Sequence, residues 1–169
     1  MAIPILRSYA TESITQKPQS PKPKTEKFQI LIRTTSHSPK WVLADGTFDP
    51  IHAGHLRYLQ TAARYGTRHG LRLLVRVAPD AVIRVKGREP FQTQHERAEM
   101  LRQLRCVDDV CIDPTLEDAI ARYRPVALIK GPDWMGRIPV EVLLMCHDIG
   151  TVIQFTHRET RRSTERLAG

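Results

Sequence analysis

Apolar residues recur along this chain in short runs that switch between two periods, and the switching predicts a fold. Phe28–Ile32 is a first apolar run, broken at Ser36–Lys40, and Trp41–Ala44 is a second one ending in Asp45-Gly46. From Gly54 to Arg68 the apolar positions Leu56, Leu59, Ala62 and Ala63 keep a helical spacing, with Gly66 and Gly70 as stop signals. Leu71–Val77 is nearly continuous and β-rich, the pattern of a strand covered on both faces. Phe91–Leu104 places Ala98, Leu101 and Leu104 on one helical face, and Val107–Ile112 is again strand-like. Pro114-Thr115 opens the next helix: Thr115 and Asp118 have capping-box spacing, and Leu116, Ala119, Ile120 and Tyr123 form its apolar stripe. Val126–Ile129 predicts a strand, Val140–Cys146 a helix and Thr151–Phe155 a last strand, with a short helix starting near Ser163. Such alternation predicts an α/β protein built on a single doubly wound parallel sheet, with ligands beyond the carboxyl ends of its strands.

Residues 1–27 break the pattern. They hold Pro18, Pro21 and Pro23, the run Pro-Lys-Pro-Lys and few residues fit for a core. We expect a flexible, partly polyproline-like extension there and one domain over residues 28–169. Charge divides along the same line. Arg7, Lys17, Lys22, Lys24 and Lys27 against Glu12 and Glu26 leave the extension at +3 of a total of +8, so the domain carries +5. A basic balance favours anionic partners without choosing among them. Aromatic residues make up only 6% of the chain and never interleave with basic ones along a strand, which argues against nucleic acid. No apolar run approaches the ~20 residues of a membrane span. Three cysteines without regular spacing predict a reducing, cytoplasmic setting rather than a disulfide framework.

The chemistry concentrates in Gly46-Thr47-Phe48-Asp49-Pro50-Ile51-His52-Ala53-Gly54-His55, between an apolar strand and the clearest helix. Histidines three residues apart lie on one side of a first helical turn. Gly54 between them lets a bulky anion approach the backbone. The helix start supplies unpaired N–H groups and a positive dipole end, to which Gly46 and Thr47 add donors in the preceding turn. Two plainer uses compete: the histidines could cap the helix, or they could bind zinc. Zinc proteases space their histidines i, i+4 around a Glu, which is not the pattern here. Cys106 and Cys111 are flanked by apolar residues and read as core thiols, so no dedicated metal ligands are expected. Gly131 to Gly136 has the glycine spacing of a P-loop, but Arg137-Ile138 follows in place of Lys-Ser/Thr.

Gly46 to His55 resembles the G-x-F-D-x-x-H-x-G-H signature of the cytidylyltransferase-like nucleotidyltransferases. The similarity continues in order through Ala78-Pro79-Asp80, Lys86-Gly87-Arg88, Arg97-Ala98-Glu99-Met100-Leu101, Val107-Asp108 and Lys130-Gly131-Pro132-Asp133-Trp134. It ends in Arg158 to Glu165, which is similar to an R-T-x-G-I-S-T-T segment except that Arg161, Arg162 and Glu165 replace its Gly, Ile and second Thr. The stretches around Lys86 and Lys130 look most like heptose-phosphate adenylyltransferases. Arg88, Trp134 and Arg158 lean towards glycerol-3-phosphate cytidylyltransferases.

The resemblance implies transfer of a nucleoside monophosphate from ATP or CTP to a phosphorylated sugar or polyol, with release of pyrophosphate. Mg²⁺ would arrive with the triphosphate, held largely by phosphate oxygens and water. His52 and His55 would stabilise the transition state and Lys86 would neutralise phosphate. Gly46, Thr47, Phe48, Gly54, Arg88, Arg158, Ser163 and Thr164 would surround the nucleotide. Asp49, Arg97, Lys130, Asp133 and Trp134 are secondary candidates, Arg97 because an arginine on a helix is usually solvated. A homodimer is common among the proteins it resembles. The alternative of another class is a catalytically degenerate fold that only binds nucleotide or nucleic acid.

Overall fold

The computed structural model describes residues 40–156. The extension at 1–27, the run at 28–32, the helix near Ser163, and Arg158, Ser163 and Thr164 lie outside the described residues.

Among the described residues, β1 (Trp41–Gly46), β2 (Arg72–Val77), β3 (Asp109–Cys111), β4 (Ala127–Lys130) and β5 (Val152–Phe155) form one parallel sheet in the order β3-β2-β1-β4-β5. β1 is central, and Trp41, Val42, Leu43 and Ala44 are all buried, as expected of a continuous apolar run covered on both faces. The helices are α1 (Ala53–Arg68), α2 (Asp80–Val85), α3 (Gln94–Arg102), α4 (Leu116–Tyr123) and α5 (Val140–Ile149). Alternation along each strand divides the core in two. Val42, Ala44, Val75 and Ile129 pack with Leu59 and Ala62 of α1 and Ala98 and Leu101 of α3. Leu43, Leu74 and Leu128 pack with Ala119 and Ile120 of α4 and Val142 and Cys146 of α5. The doubly wound α/β sheet is therefore present, and none of these helices is long and apolar enough to cross a membrane.

Several boundaries differ from the sequence pattern for local reasons. α1 ends at Arg68 as the spacing predicts, but Gly66 lies inside it and serves a close approach rather than a stop. Its carbonyl accepts the N–H groups of His69 (3.0 Å) and Leu71 (2.9 Å), and a Cβ at Gly66 would sit 2.9 Å from the Leu71 carbonyl oxygen. α3 starts at Gln94 instead of Phe91, since Thr93 and Glu96 close a reciprocal capping box while the N–H groups of Phe91 and Gln92 turn to Asp49. The expected Thr115–Asp118 capping box does begin α4. α2 and a 3-10 turn at Pro132–Trp134 are elements the periodicity did not single out, being too short to show a period.

The sheet order reverses beside β1: the chain proceeds from β1 outwards to β2 and β3, then returns to place β4 on the other side. Crevices at such a switch point, beyond the carboxyl ends of the strands, are where parallel α/β sheets bind ligands. Gly46 and Lys130 end the two strands that flank it.

Candidate active site

The turn leaving β1 is built to deliver two imidazoles. Phe48 is fully buried with φ of 52°, a left-handed conformation that turns the chain sharply. A Cβ at Gly46 would lie 3.0 Å from the Phe48 ring, so glycine is what lets the ring fold back beneath the turn. There the ring meets His55 edge-on at 5.1 Å. His52 is the N-cap of α1, and its Nδ1 accepts N–H groups from Gly54 (3.0 Å) and His55 (3.4 Å). The plain capping role and the functional role therefore coexist on one ring. With Nδ1 an acceptor, the proton of the neutral ring resides on Nε2, which becomes a donor. The same bonds revise the expectation of unpaired N–H groups at the helix start, because those of Gly54 and His55 are occupied by His52.

His55 stacks on His52, centroids 3.9 Å apart and planes 17° from parallel. Burial chiefly, and then the neighbouring His52, push its pKa down to about 4, against a weak opposing pull from the Pro50 carbonyl. His55 is thus neutral at physiological pH. Its Nδ1 is buried and makes no hydrogen bond of normal geometry.

Asp49 is completely buried three residues before His52. Its carboxylate accepts from Arg88 Nη1 at 2.5 Å and from the N–H groups of Gln92 (2.9 Å) and Phe91 (3.1 Å), while Arg88 Nη2 donates to its carbonyl at 3.2 Å. Burial alone would raise its pKa; Arg88 and the two amides outweigh that and keep it below the usual carboxylate range. Arg97 departs most from the sequence reading. It is fully buried instead of solvated, because four acceptors converge on its guanidinium: the carbonyls of Thr47, Ala78 (2.9 Å) and Gln92 (3.1 Å), and the carboxylate of Asp80 at 2.6 Å. Arg88 and Arg97, both candidate phosphate ligands from sequence, thus bind the site's own framework.

A second buried group lies under the carboxyl ends of β1, β2 and β4. Parallel register sets Asp45 beside Arg76, whose Nη1 donates to it at 2.6 Å, and Lys130 Nζ donates to the other oxygen at 2.8 Å. Desolvation opposes ionisation of Asp45, but Lys130 and then Arg76 hold its pKa down. Lys130 is 1% exposed and lies 3.9 Å from the Trp134 ring centroid, a cation–π contact. Tyr58 of α1 donates to the Ile129 carbonyl at 2.6 Å and accepts the Asp45 N–H at 3.1 Å, tying helix and both strands together. Lys130 and Trp134 are consequently neighbours, whereas Asp133 is exposed, its Oδ1 2.7 Å from where a Gly131 Cβ would be. Asp45, Arg76, Tyr58 and Asp80 were not among the sequence candidates. The one available signal was an acid and a base ending two apolar strands, at Asp45 and Lys130.

Lys86, at the end of α2, has an exposed side chain that makes no hydrogen bond or ion pair with the described residues. The arrangement therefore offers a stacked imidazole pair, neutral at His55, and an uncommitted cation in Lys86, while the buried carboxylates of Asp49 and Asp45 are engaged by arginine and lysine. Among the described residues no three His, Cys, Asp or Glu side chains gather in a way that could hold a metal ion.

The cytidylyltransferase-like family model matches residues 43–165. The FAD synthase of Pyrococcus horikoshii is 41% identical over 96 residues, covering 54% of this chain and 62% of that protein. The bifunctional protein HldE of Trichlorobacter lovleyi is 33% identical over 110 residues, covering 63% of this chain and 22% of that protein. The chain thus spans less than two thirds of these relatives. A lipopolysaccharide core biosynthesis protein from Thermoplasma volcanium shares the fold with a TM-score of 0.59 at 22% identity, over 73% of this chain and 98% of that one.

Proposed function

This chain belongs to the cytidylyltransferase-like family, and from that premise we propose that it transfers an adenylyl group from ATP to a phosphate monoester and releases pyrophosphate. The observation that carries the reading is the stacked His52–His55 pair, neutral at His55, at the carboxyl end of the central strand. An oxygen of the acceptor phosphate attacks the α-phosphorus, and the bond to the β-phosphate oxygen breaks as pyrophosphate leaves. That nucleophile is already anionic near neutral pH, so the reaction needs donors and alignment rather than a strong base. His52 Nε2–H is such a donor, with its orientation fixed by the two backbone bonds at Nδ1. His55 supplies a second ring without a second fixed charge. Among the described candidates Lys86 is a cation available to the polyphosphate, and Mg²⁺ enters as part of the nucleotide substrate.

Similarity to an FAD synthase, whose product carries an adenylyl group, supports ATP over CTP. The acceptor classes to separate are a sugar or polyol phosphate, the heptose-1-phosphate type that the sequence favours, and flavin mononucleotide, whose adenylylation gives FAD. The glycerol-3-phosphate cytidylyltransferase reading is less favoured, because two of the three residues that suggested it, Arg88 and Trp134, already have partners in Asp49 and Lys130; the third, Arg158, lies outside the described residues.

The test is a pyrophosphate-release screen of ATP and CTP, each with Mg²⁺, against heptose-1-phosphate, glycerol-3-phosphate and flavin mononucleotide. We expect turnover with ATP and one acceptor, lowered about 10²–10³-fold by His55→Ala or His52→Ala, as when one transition-state donor is removed. Unchanged turnover in either variant, or steeply salt-dependent DNA binding with no turnover at all, would refute it.

A further inference from the structure

We infer that Asp49 and Arg88 form a positioning pair whose task is to hold Lys86 in register with the His52–His55 turn. The inference rests on the transferase reading above for the role of Lys86, and on geometry for everything else. Lys86 lies on a short piece of chain pinned at both ends to Thr47–Asp49. At the start of α2, Arg97 joins Asp80 to the carbonyls of Thr47 and Ala78. Beyond its end, Arg88 joins Asp49, and the next amides but two, Phe91 and Gln92, bond to the same carboxylate. Between these anchors there is little slack: the Lys86 N–H bonds to the Ile83 carbonyl at 3.0 Å and the Gly87 N–H to the Arg84 carbonyl at 2.9 Å. Gly87 then turns the chain at φ of 81°, a conformation that favours glycine.

Asp49 is wholly buried and Arg88 is only one-third exposed, and the bonds that Arg88 makes from Nη1 and Nη2 all go to the protein's own framework. The carboxylate takes three donors, and Arg88 donates to the carboxylate and the carbonyl of Asp49 and weakly to the Glu89 carbonyl. Arg88 therefore acts as a brace for the exposed Lys86 segment, in contrast to the direct nucleotide contact that its place in the sequence suggested.

A double-mutant cycle on the full-length chain separates these two roles. Arg88→Gln, Lys86→Ala and the double variant are compared by kcat/KM in the pyrophosphate-release assay, with Arg88→Lys as the conservative partner. If Arg88 acts through Lys86, Arg88→Gln lowers kcat/KM at least 10-fold in the parent but less than 3-fold in the Lys86→Ala background. Arg88→Lys then recovers part of the loss. If the two effects multiply, Arg88 contacts substrate independently and the inference fails. A second readout needs no activity: the rate of trypsin cleavage after Lys86 in the unliganded protein. Loss of the brace should raise it at least 10-fold in Arg88→Gln and in Asp49→Asn, and equal rates would overturn the inference. Absence of turnover in the parent with every acceptor would instead defeat the functional reading, leaving the proteolysis result to decide the brace.

Discussion

Replacing Arg97 by Met removes the guanidinium but keeps the stem packed in its place, so it isolates what the buried charge does. The change would leave the Asp80 carboxylate unpaired and the carbonyls of Thr47, Ala78 and Gln92 without this donor. Removing one partner of a buried ion pair costs about 3–5 kcal/mol, and orphaned buried carbonyls add to that. The Asp80 side chain is 17% exposed and recovers some hydration, which brings the expected loss to about 4 kcal/mol. That is a large part of the ~5–15 kcal/mol that holds an ordinary domain together. With a urea m-value of about 2 kcal/mol/M, the unfolding midpoint followed by circular dichroism should fall by about 2 M at unchanged slope. Asp80→Asn combined with Arg97→Met should cost less than the two single losses together, because the unpaired carboxylate is gone. Surface substitutions usually change stability by no more than about 0.5 kcal/mol. A midpoint shift of about 0.3 M or less would therefore mean that Arg97 is solvated, as its place on a polar helix suggested, and the clamp would have to be abandoned.

Other consequences follow from the same contacts. His55 has a pKa of about 4 folded against about 6.5 unfolded, so its proton favours the unfolded chain. The stability it withholds is absent above about pH 6.5 and grows as pH falls towards 4; urea midpoints between pH 7 and 4.5 should drop, and less steeply in His55→Asn. Lys130→Met should destabilise by about 3–5 kcal/mol by leaving Asp45 with Arg76 alone, and adding Asp45→Asn should restore part of the loss in thermal melts. Gly46→Ala places a methyl 3.0 Å from the Phe48 ring; about 1–3 kcal/mol of stability should be lost, and kcat should fall as the ring displaces His55. A wild-type kcat in that variant would disprove the tie between Phe48 and the imidazole pair.

Periodicity and turn chemistry alone determined much of this protein. Short apolar runs separated by helical stripes admit little besides a parallel sheet covered on both faces, and the spacing of Gly46, Asp49, His52, Gly54 and His55 marked the one loop where phosphate chemistry could lie. Both signals are local: a strand's alternation, a capping box and a His–Gly–His spacing are properties of ten or fewer neighbouring residues. What tertiary structure decided was which charges remain for a ligand. Arg88, Arg97 and Lys130 look alike in sequence to Lys86, each a basic residue near a motif. Their fates were set by Asp49, Asp80 and Asp45, which lie 39, 17 and 85 residues away. A buried arginine or lysine must find acceptors or lose more in desolvation than it gains; the pairing of β1 with β2 and β4 brought Asp49 to Arg88 and Asp45 to Lys130, and the folding of α3 back onto the start of α2 brought Asp80 to Arg97. Lys86, left exposed by the turn at Gly87, is the cation that the fold did not use for itself.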